Sequence, residues 1–326
     1  MKKRLLVIAV LLMAAFVCIT VLNGMDTELS PSEPSGSGTA ATDTADIKPS
    51  SKGSPYKFYF ERLTPVEKRA YNAIIEKIYD MPERIAVPKI DGKELDNVFS
   101  ALLFDNPDLF FLGRKCAVET RMWSTYFSVD YITDKADLAD MKAQLERECE
   151  TFEQTLTDPD NQWRAELEIH DYVIDKCEYH DPEGDLIYSS SYGALVDGRA
   201  ACEGYSKAVK LLLDRAGIEN ALISGVSENG EGSGGAHMWN IVNIGGDYYH
   251  LDCTWDDTVS DDGGKLRMYT YFNLSDEMIS GTHRDFSYNF GCKSTAENYY
   301  IKTGTYFESY SRSSESRLTD LITKSV

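Results

Sequence analysis

The stretch that most narrows what this chain can fold into runs from Ala236 to Asp252. Ala236 to Ile244 alternates in side-chain character, Gly245-Gly246 supplies a two-residue turn, and Asp247 to Asp252 returns as a second strand. Such a segment is a β-hairpin. Its period of two puts His237, Trp239 and Ile241 on one face of the first strand, and His250 and Asp252 on one face of the second. An imidazole and a carboxylate on neighbouring strands make an acid-base pair, because the carboxylate fixes the tautomer at one ring nitrogen and leaves the other to move a proton. His237 and Asp252 fit that pairing. His250 competes for either role, while Tyr248, Tyr249 and Leu251 around it also fit a packed or surface histidine.

A nucleophile stands upstream. Asp197-Gly198-Arg199 reads as a loop, and Ala208, Val209, Leu212, Leu213 and Ala216 then fall on one face of a helix that stops near Gly217. Cys202 therefore sits at or beside a helix N-terminus. Unpaired backbone N–H groups and the positive end of the macrodipole favour the thiolate there, and the thiolate is the nucleophilic form. Gly204 lets another backbone pass close, at a small cost in helix propensity. A cysteine alone is more often a small buried apolar residue; the histidine and aspartate downstream are what make Cys202 a catalytic candidate.

The run Ala201-Cys202-Glu203-Gly204-Tyr205-Ser206, then His237-Met238-Trp239-Asn240, then Tyr248 to Asp257 (Tyr-Tyr-His-Leu-Asp-Cys-Thr-Trp-Asp-Asp) resembles the bacterial transglutaminase-like branch of the papain-like cysteine enzymes. Ile169-His170-Asp171-Tyr172, Ser191 to Val196 and Tyr271 to Asp276 extend the likeness over about residues 160 to 310. The resemblance implies an α+β fold, a papain-like transglutaminase core in which a nucleophile helix packs on an antiparallel sheet. It implies Cys202 as nucleophile, His237 as general base and acid, and Asp252 as third member of the triad. For the oxyanion it implies the backbone N–H of Cys202 and a side chain upstream, with Tyr192 the candidate, although Tyr192 also reads as one core or loop tyrosine among 20. Members of the superfamily include transamidases, peptidases, deglycosylating amidases and proteins that have lost catalysis. The expectation is thus a cysteine-dependent acyl-transfer enzyme that attacks peptide or side-chain amides through a thioester, on a protein or peptide substrate, cell-envelope peptides included. The alternative is a surface binding protein that keeps the fold without turnover. No cofactor is implied. On this reading Asp252→Asn is milder than loss of Cys202 or His237, since an amide still orients the ring.

Lys2, Lys3 and Arg4 precede an apolar run from Leu5 to Leu22, so residues 1–24 read as a signal peptide or an N-terminal membrane anchor. Residues 25–54, rich in Ser, Thr, Pro, Gly and Asp, read as a disordered linker. Together they place the rest of the chain on the extracellular face of the cytoplasmic membrane or in the medium, touching membrane through the leader only. A net charge of −20 argues against nucleic acid and anionic lipid as partners. Of seven cysteines, Cys18 lies in the leader and a free nucleophile leaves an odd five, so no complete disulfide framework is implied. The absence of CxxC and HExxH spacings speaks against a metal site of the zinc type. Asp256, Asp257, Asp261 and Asp262 invite calcium by charge, but without EF-hand spacing they read as a solvated loop.

Residues 55–157 read as an accessory domain and 158–326 as the catalytic domain. In the accessory region Thr64-Pro65-Val66-Glu67 has the residues of a helix start, continued on one face by Tyr71, Ile74, Ile75 and Ile78. A second helix runs from Asp91 toward Phe104, stopped by Asn106-Pro107; Cys116 to Ile132 reads as strands, and Asp134 to Thr155 as a charged helix. Asn106 to Leu112 invites a binding reading, against which it reads as a loop entering a buried strand.

Overall fold

The computed structural model describes residues 47–181, 184–228, 234–259, 264–306 and 317. The expected leader, most of the expected linker, Gly230 and its neighbours, Asp261 and Asp262 lie outside the described residues. The chain forms two units. The first holds the described residues up to Gly53 together with Lys57–Asp105 and Leu112–Ile132. Its helix α1 (Pro65–Ile75) starts on a complete capping box: Thr64 Oγ1 accepts from the Glu67 N–H, and Glu67 accepts from the Thr64 N–H at 2.7 Å, with Pro65 in the first turn. Ala70, Tyr71, Ile74 and Ile75 are buried along it. A short strand β1 (Ile85–Val87) precedes α2 (Gly92–Asp105), and β2 (Leu112–Arg121) turns through Met122 and Trp123 into β3 (Ser124–Tyr131). The three strands form an antiparallel sheet in the order β1-β3-β2.

The second unit comprises Ser54–Tyr56, Asn106–Phe111 and the chain from Thr133 onward. Helix α3 (Lys135–Glu153), which the sequence assigns to the accessory region, belongs here. The cause is visible in its side chains: Phe152 packs on Tyr172 with ring centroids 4.6 Å apart, and Glu146 and Glu153 pair with Arg215. Helix α4 (Gln162–Lys176) leads into β4 (Glu178–Tyr179), which pairs in parallel with β5 (Arg199–Ala200); β5 runs directly into α5 (Cys202–Arg215). Gly217, at φ +71°, ends that helix where the sequence places its stop.

Then come β6 (Asn220–Glu228), β7 (Gly234–Ile244) and β8 (Asp247–Leu251). The β7–β8 hairpin has the expected register, Ile244 opposite Asp247 and Ile241 opposite His250, and both turn glycines take positive φ. A single-turn helix α6 (Cys253–Asp256) follows, then β9 (Asp257–Val259), β10 (Lys265–Arg267), α7 (Asp276–Ile279), β11 (His283–Arg284) and α8 (Tyr299–Lys302). The main sheet is antiparallel in the order β11-β6-β7-β8, with α5 packed against β6 and β7. This is the α+β arrangement expected from the sequence, a nucleophile helix on an antiparallel sheet.

Two hydrogen-bonded links set the register between helix and sheet. The Ser206 hydroxyl lies 2.8 Å from both the Cys202 and Met238 carbonyl oxygens, and the Asn240 side-chain amide donates to the Ser206 carbonyl at 3.0 Å. Ser206 is one turn beyond Cys202, and Met238 follows His237, so these links fix the two candidate groups relative to each other. The acidic loop expected beyond the hairpin is not solvated at its start. Asp256 is fully buried, held by His170 Nε2 at 3.2 Å and by the Tyr271 N–H at 3.0 Å, and Asp257 accepts from the Tyr205 hydroxyl. Both carboxylates are spent on internal hydrogen bonds, which corrects the expectation of a solvated loop there.

Candidate active site

Cys202 is the first residue of α5, after an Ala201 cap that offers no side-chain acceptor, so the helix dipole acts on its sulfur. His237 stands on β7, buried at 5 % exposure, and hydrogen-bonds with Cys202. Its Nε2 lies 2.6 Å from Asp252 Oδ2, which leaves Nδ1 as the ring nitrogen for the thiol. Asp252 follows β8 and caps α6: its Oδ1 accepts the backbone N–H groups of Thr254 and Trp255 at 3.0 and 3.2 Å. The fold thus brings Cys202, His237 and Asp252 together in the order expected of a relay.

The electrostatics follow from burial and pairing. Burial works against an imidazolium at position 237, but the Asp252 carboxylate and the hydrogen bond with Cys202 outweigh it and push the His237 pKa up to about 10. Burial likewise opposes the Asp252 charge, and the two imidazoles that contact it hold its pKa far below the usual carboxylate range. At neutral pH the ring carries its proton and the carboxylate is ionised.

Three residues stand differently from their sequence expectation. Tyr192 is not aimed at an oxyanion: its one hydroxyl proton goes to Gln144 Oε1 at 2.7 Å, and its ring stacks on Phe110 at 5.1 Å. The core reading of that tyrosine is the one the geometry supports. His250 is committed elsewhere, accepting from Trp239 Nε1 at Nδ1, 3.0 Å away, and facing Asp276 Oδ1 with Nε2 at 2.9 Å. His283, on β11, was not a sequence candidate. Its Nε2 lies 3.0 Å from the same Asp252 oxygen that receives His237. No signal in the β-hairpin could have found it, since it is 31 residues beyond Asp252 on another strand. Tyr179, on β4, is half-exposed beside Cys202; burial, with the neighbouring Cys202 adding to it, pushes its phenol up to about 12.

Among the described residues, two clusters have ligand-type atoms close enough for a metal ion, His237-Asp252-His283 and His250-Asp276-Cys292. The first is the His237-Asp252 pair described above, joined by His283. In the second, the Trp239 N–H occupies His250 Nδ1, so the ring's proton is on Nε2 and faces Asp276, while burial pushes the Cys292 thiol up to about 12. A metal there would have to strip the imidazole of its only proton and ionise a resistant thiol. The cluster is a hydrogen-bond chain, and its residues do not fit a metal.

A helix-borne cysteine, a strand-borne histidine and a capping aspartate on an antiparallel sheet define a papain-like cysteine-enzyme core. Residues 150–253 match the family model described as the transglutaminase-like superfamily, and the chain carries that domain. The matched segment contains Cys202, His237 and Asp252; His283 lies beyond it. No curated protein matches the chain. Among solved structures, a TGase crystal structure is 14 % identical with a TM-score of 0.31, over 59 % of this chain and 60 % of that one. A protein of Parabacteroides distasonis provisionally named a protease is 14 % identical with a TM-score of 0.27, over 47 % of this chain and 40 % of that one. A protein of Cytophaga hutchinsonii provisionally named a cysteine protease is 12 % identical with a TM-score of 0.25, over 47 % of this chain and 65 % of that one. The matches thus span less than two thirds of each of these structures.

Proposed function

We propose that this protein is an exported or surface-anchored cysteine acyl-transfer enzyme acting on peptide or side-chain amides of proteins or envelope peptides. The observation that carries the reading is the buried 2.6 Å contact of His237 with Asp252, with Cys202 on the ring's other side at a helix N-terminus. In the first half-reaction the Cys202 sulfur forms a bond to the amide carbonyl carbon and the C=O electron pair moves to oxygen. The backbone N–H of Cys202 is the donor we assign to that oxyanion. The tetrahedral adduct collapses to a thioester as the C–N bond breaks, and His237 Nδ1 gives its proton to the leaving amine. In the second half, an amine or water attacks the thioester and returns a proton to His237, and the thiolate leaves. Asp252 keeps the ring in line and compensates its charge throughout.

Export rests on the basic start and the apolar run from Leu5 to Leu22. Among the described residues no helix is long and apolar enough to cross a membrane.

The test is mass spectrometry of a peptide library incubated with the protein, with and without a primary amine. An amine adduct with loss of ammonia marks transamidation, conversion of amide to acid marks deamidation, and chain cleavage marks proteolysis. Each product should vanish in Cys202→Ala. Products that persist in that variant, or no product at all from a protein whose Cys202 alkylates like an ordinary thiol, would refute the enzyme reading.

A further inference from the structure

Asp252 receives four donors. His237 Nε2 and His283 Nε2 converge on Oδ2 at 2.6 and 3.0 Å, and the Thr254 and Trp255 N–H groups reach Oδ1 at 3.0 and 3.2 Å. An ionised carboxylate offers about four lone-pair sites, so this one is saturated and has no second rotamer that keeps its partners. The backbone donors follow Asp252 in the chain and His237 is the group being served. His283 alone comes from a separate strand at the other edge of the sheet.

The fold takes trouble to bring it there. β11 consists of two residues and pairs with β6, His283 opposite Ser227 and Arg284 opposite Val226. Gly225, opposite His237 on the neighbouring strand, leaves room for that approach: a Cβ there would lie 2.7 Å from the Arg284 carbonyl oxygen and 2.8 Å from the Trp239 ring. The His283 ring is wedged between Trp239 and Trp255, both with centroids at 4.9 Å, and its Nδ1 meets Thr282 Oγ1 at 2.9 Å.

We propose that His283 is a positioning residue that clamps the Asp252 carboxylate, so that Oδ2 stays on His237 Nε2 through the reaction cycle. The proposal rests on the acyl-transfer reading above. A histidine that merely filled space would need a polar partner of some kind; the shared oxygen means that this one restrains the atom on which the relay depends. The titratable groups facing His283 are Asp252, His237 with ring centroids 5.5 Å away, Tyr271 at 5.4 Å, and His250. For His250, burial first and His283 after it hold the imidazolium down against Asp276.

The test uses the full chain and iodoacetamide as probe, with the alkylation rate of Cys202 followed by mass spectrometry from pH 5 to 10. A glutamine amide N–H overlays the Nε2 position of histidine, whereas an asparagine amide overlays Nδ1 and falls short of Asp252. His283→Gln should keep the wild-type profile. His283→Asn, with unchanged circular dichroism, should lose about tenfold or more at neutral pH, the scale typical when the partner that orients a functional group is removed. Equal profiles for the two variants, whether both intact or both shifted, overturn the clamp. If His283→Asn does not fold, proton NMR of the unmodified chain decides: the His283 Nε2–H signal should move when Cys202 is carbamidomethylated, and a stationary signal overturns the clamp. Wild-type Cys202 reacting no faster than the partly exposed Cys116 would instead overturn the functional reading itself.

Discussion

Asp252 is the residue at which chemistry and architecture meet. From sequence, Asp252→Asn reads as milder than loss of Cys202 or His237, because an amide still orients the ring. With two imidazole Nε2 groups on one oxygen and two backbone N–H groups on the other, the amide fails whichever way it faces, since its NH₂ must oppose two donors. We therefore expect Asp252→Asn to lose thermal stability and about 10⁴-fold in kcat/KM, the scale seen when a triad carboxylate is replaced by its amide. A variant that melts with the wild type and keeps a tenth of its activity would contradict this. The proton on His237 has a second consequence. Its pKa is raised from the ordinary 6.5 to about 10, so its stabilisation is fully present below about pH 6.5 and is lost as pH rises through about 10. In a Cys202→Ala background, which removes the thiol's share of that shift and leaves the share of Asp252, urea unfolding should show stability falling as pH rises above about 6.5 and the fall complete below about 10, with a slope of up to about one proton. His237→Gln in the same background should flatten that slope; an identical slope would show that His237 is not the group titrating.

At the scale of elements, α5 is fitted to its surroundings more closely than its amphipathic pattern indicates. Gly204 lies two residues after Cys202, and a Cβ there would stand 2.6 Å from the Ala200 Cβ, 2.8 Å from the Tyr188 carbonyl and 3.0 Å from the Ser190 carbonyl. Gly204→Ala gains about 0.5–1 kcal/mol of helix propensity. Against that, forcing a methyl group into a filled interior costs about 1–3 kcal/mol. Backbone oxygens cannot step aside as a flexible side chain can, so the overpacking wins: the melting temperature should fall by a few degrees, and the Cys202 alkylation rate should fall with it as the helix start shifts. A stabilised Gly204→Ala with wild-type reactivity would mean that the approach is looser than these distances.

At the scale of the whole molecule, what could be read in the sequence was what local pattern controls. The β7–β8 hairpin, the capping box at Thr64 and the start and stop of α5 each follow from residues within a few positions of one another, and all are present. The allegiance of α3 could not be read, because it depends on partners such as Tyr172 and Arg215 that lie far along the chain. The same holds for Tyr192, whose hydroxyl is claimed by a glutamine on α3, and for His283, which reaches Asp252 only once β11 has found β6. The buried ends of the Asp256-Asp257 stretch were missed because charge alone does not reveal that His170 and Tyr205 wait for them. The export proposal is tested at this scale. Protease added to intact protoplasts should remove the catalytic unit, whereas protection until lysis would place the protein inside.

The double use of Asp252 bears on how such a protein can change by descent. Alanine at position 202 would take away a sulfur and its hydrogen bond with His237 but leave the backbone scaffold, in which the Cys202 carbonyl meets the Ser206 hydroxyl. Replacing Asp252 would strand two imidazoles and uncap a helix together. A lineage that gives up turnover and keeps the fold as a binding surface should therefore shed the cysteine early and retain the aspartate and both histidines long afterwards. In such a lineage, the aspartate records inherited architecture, and only the cysteine testifies to chemistry still in use.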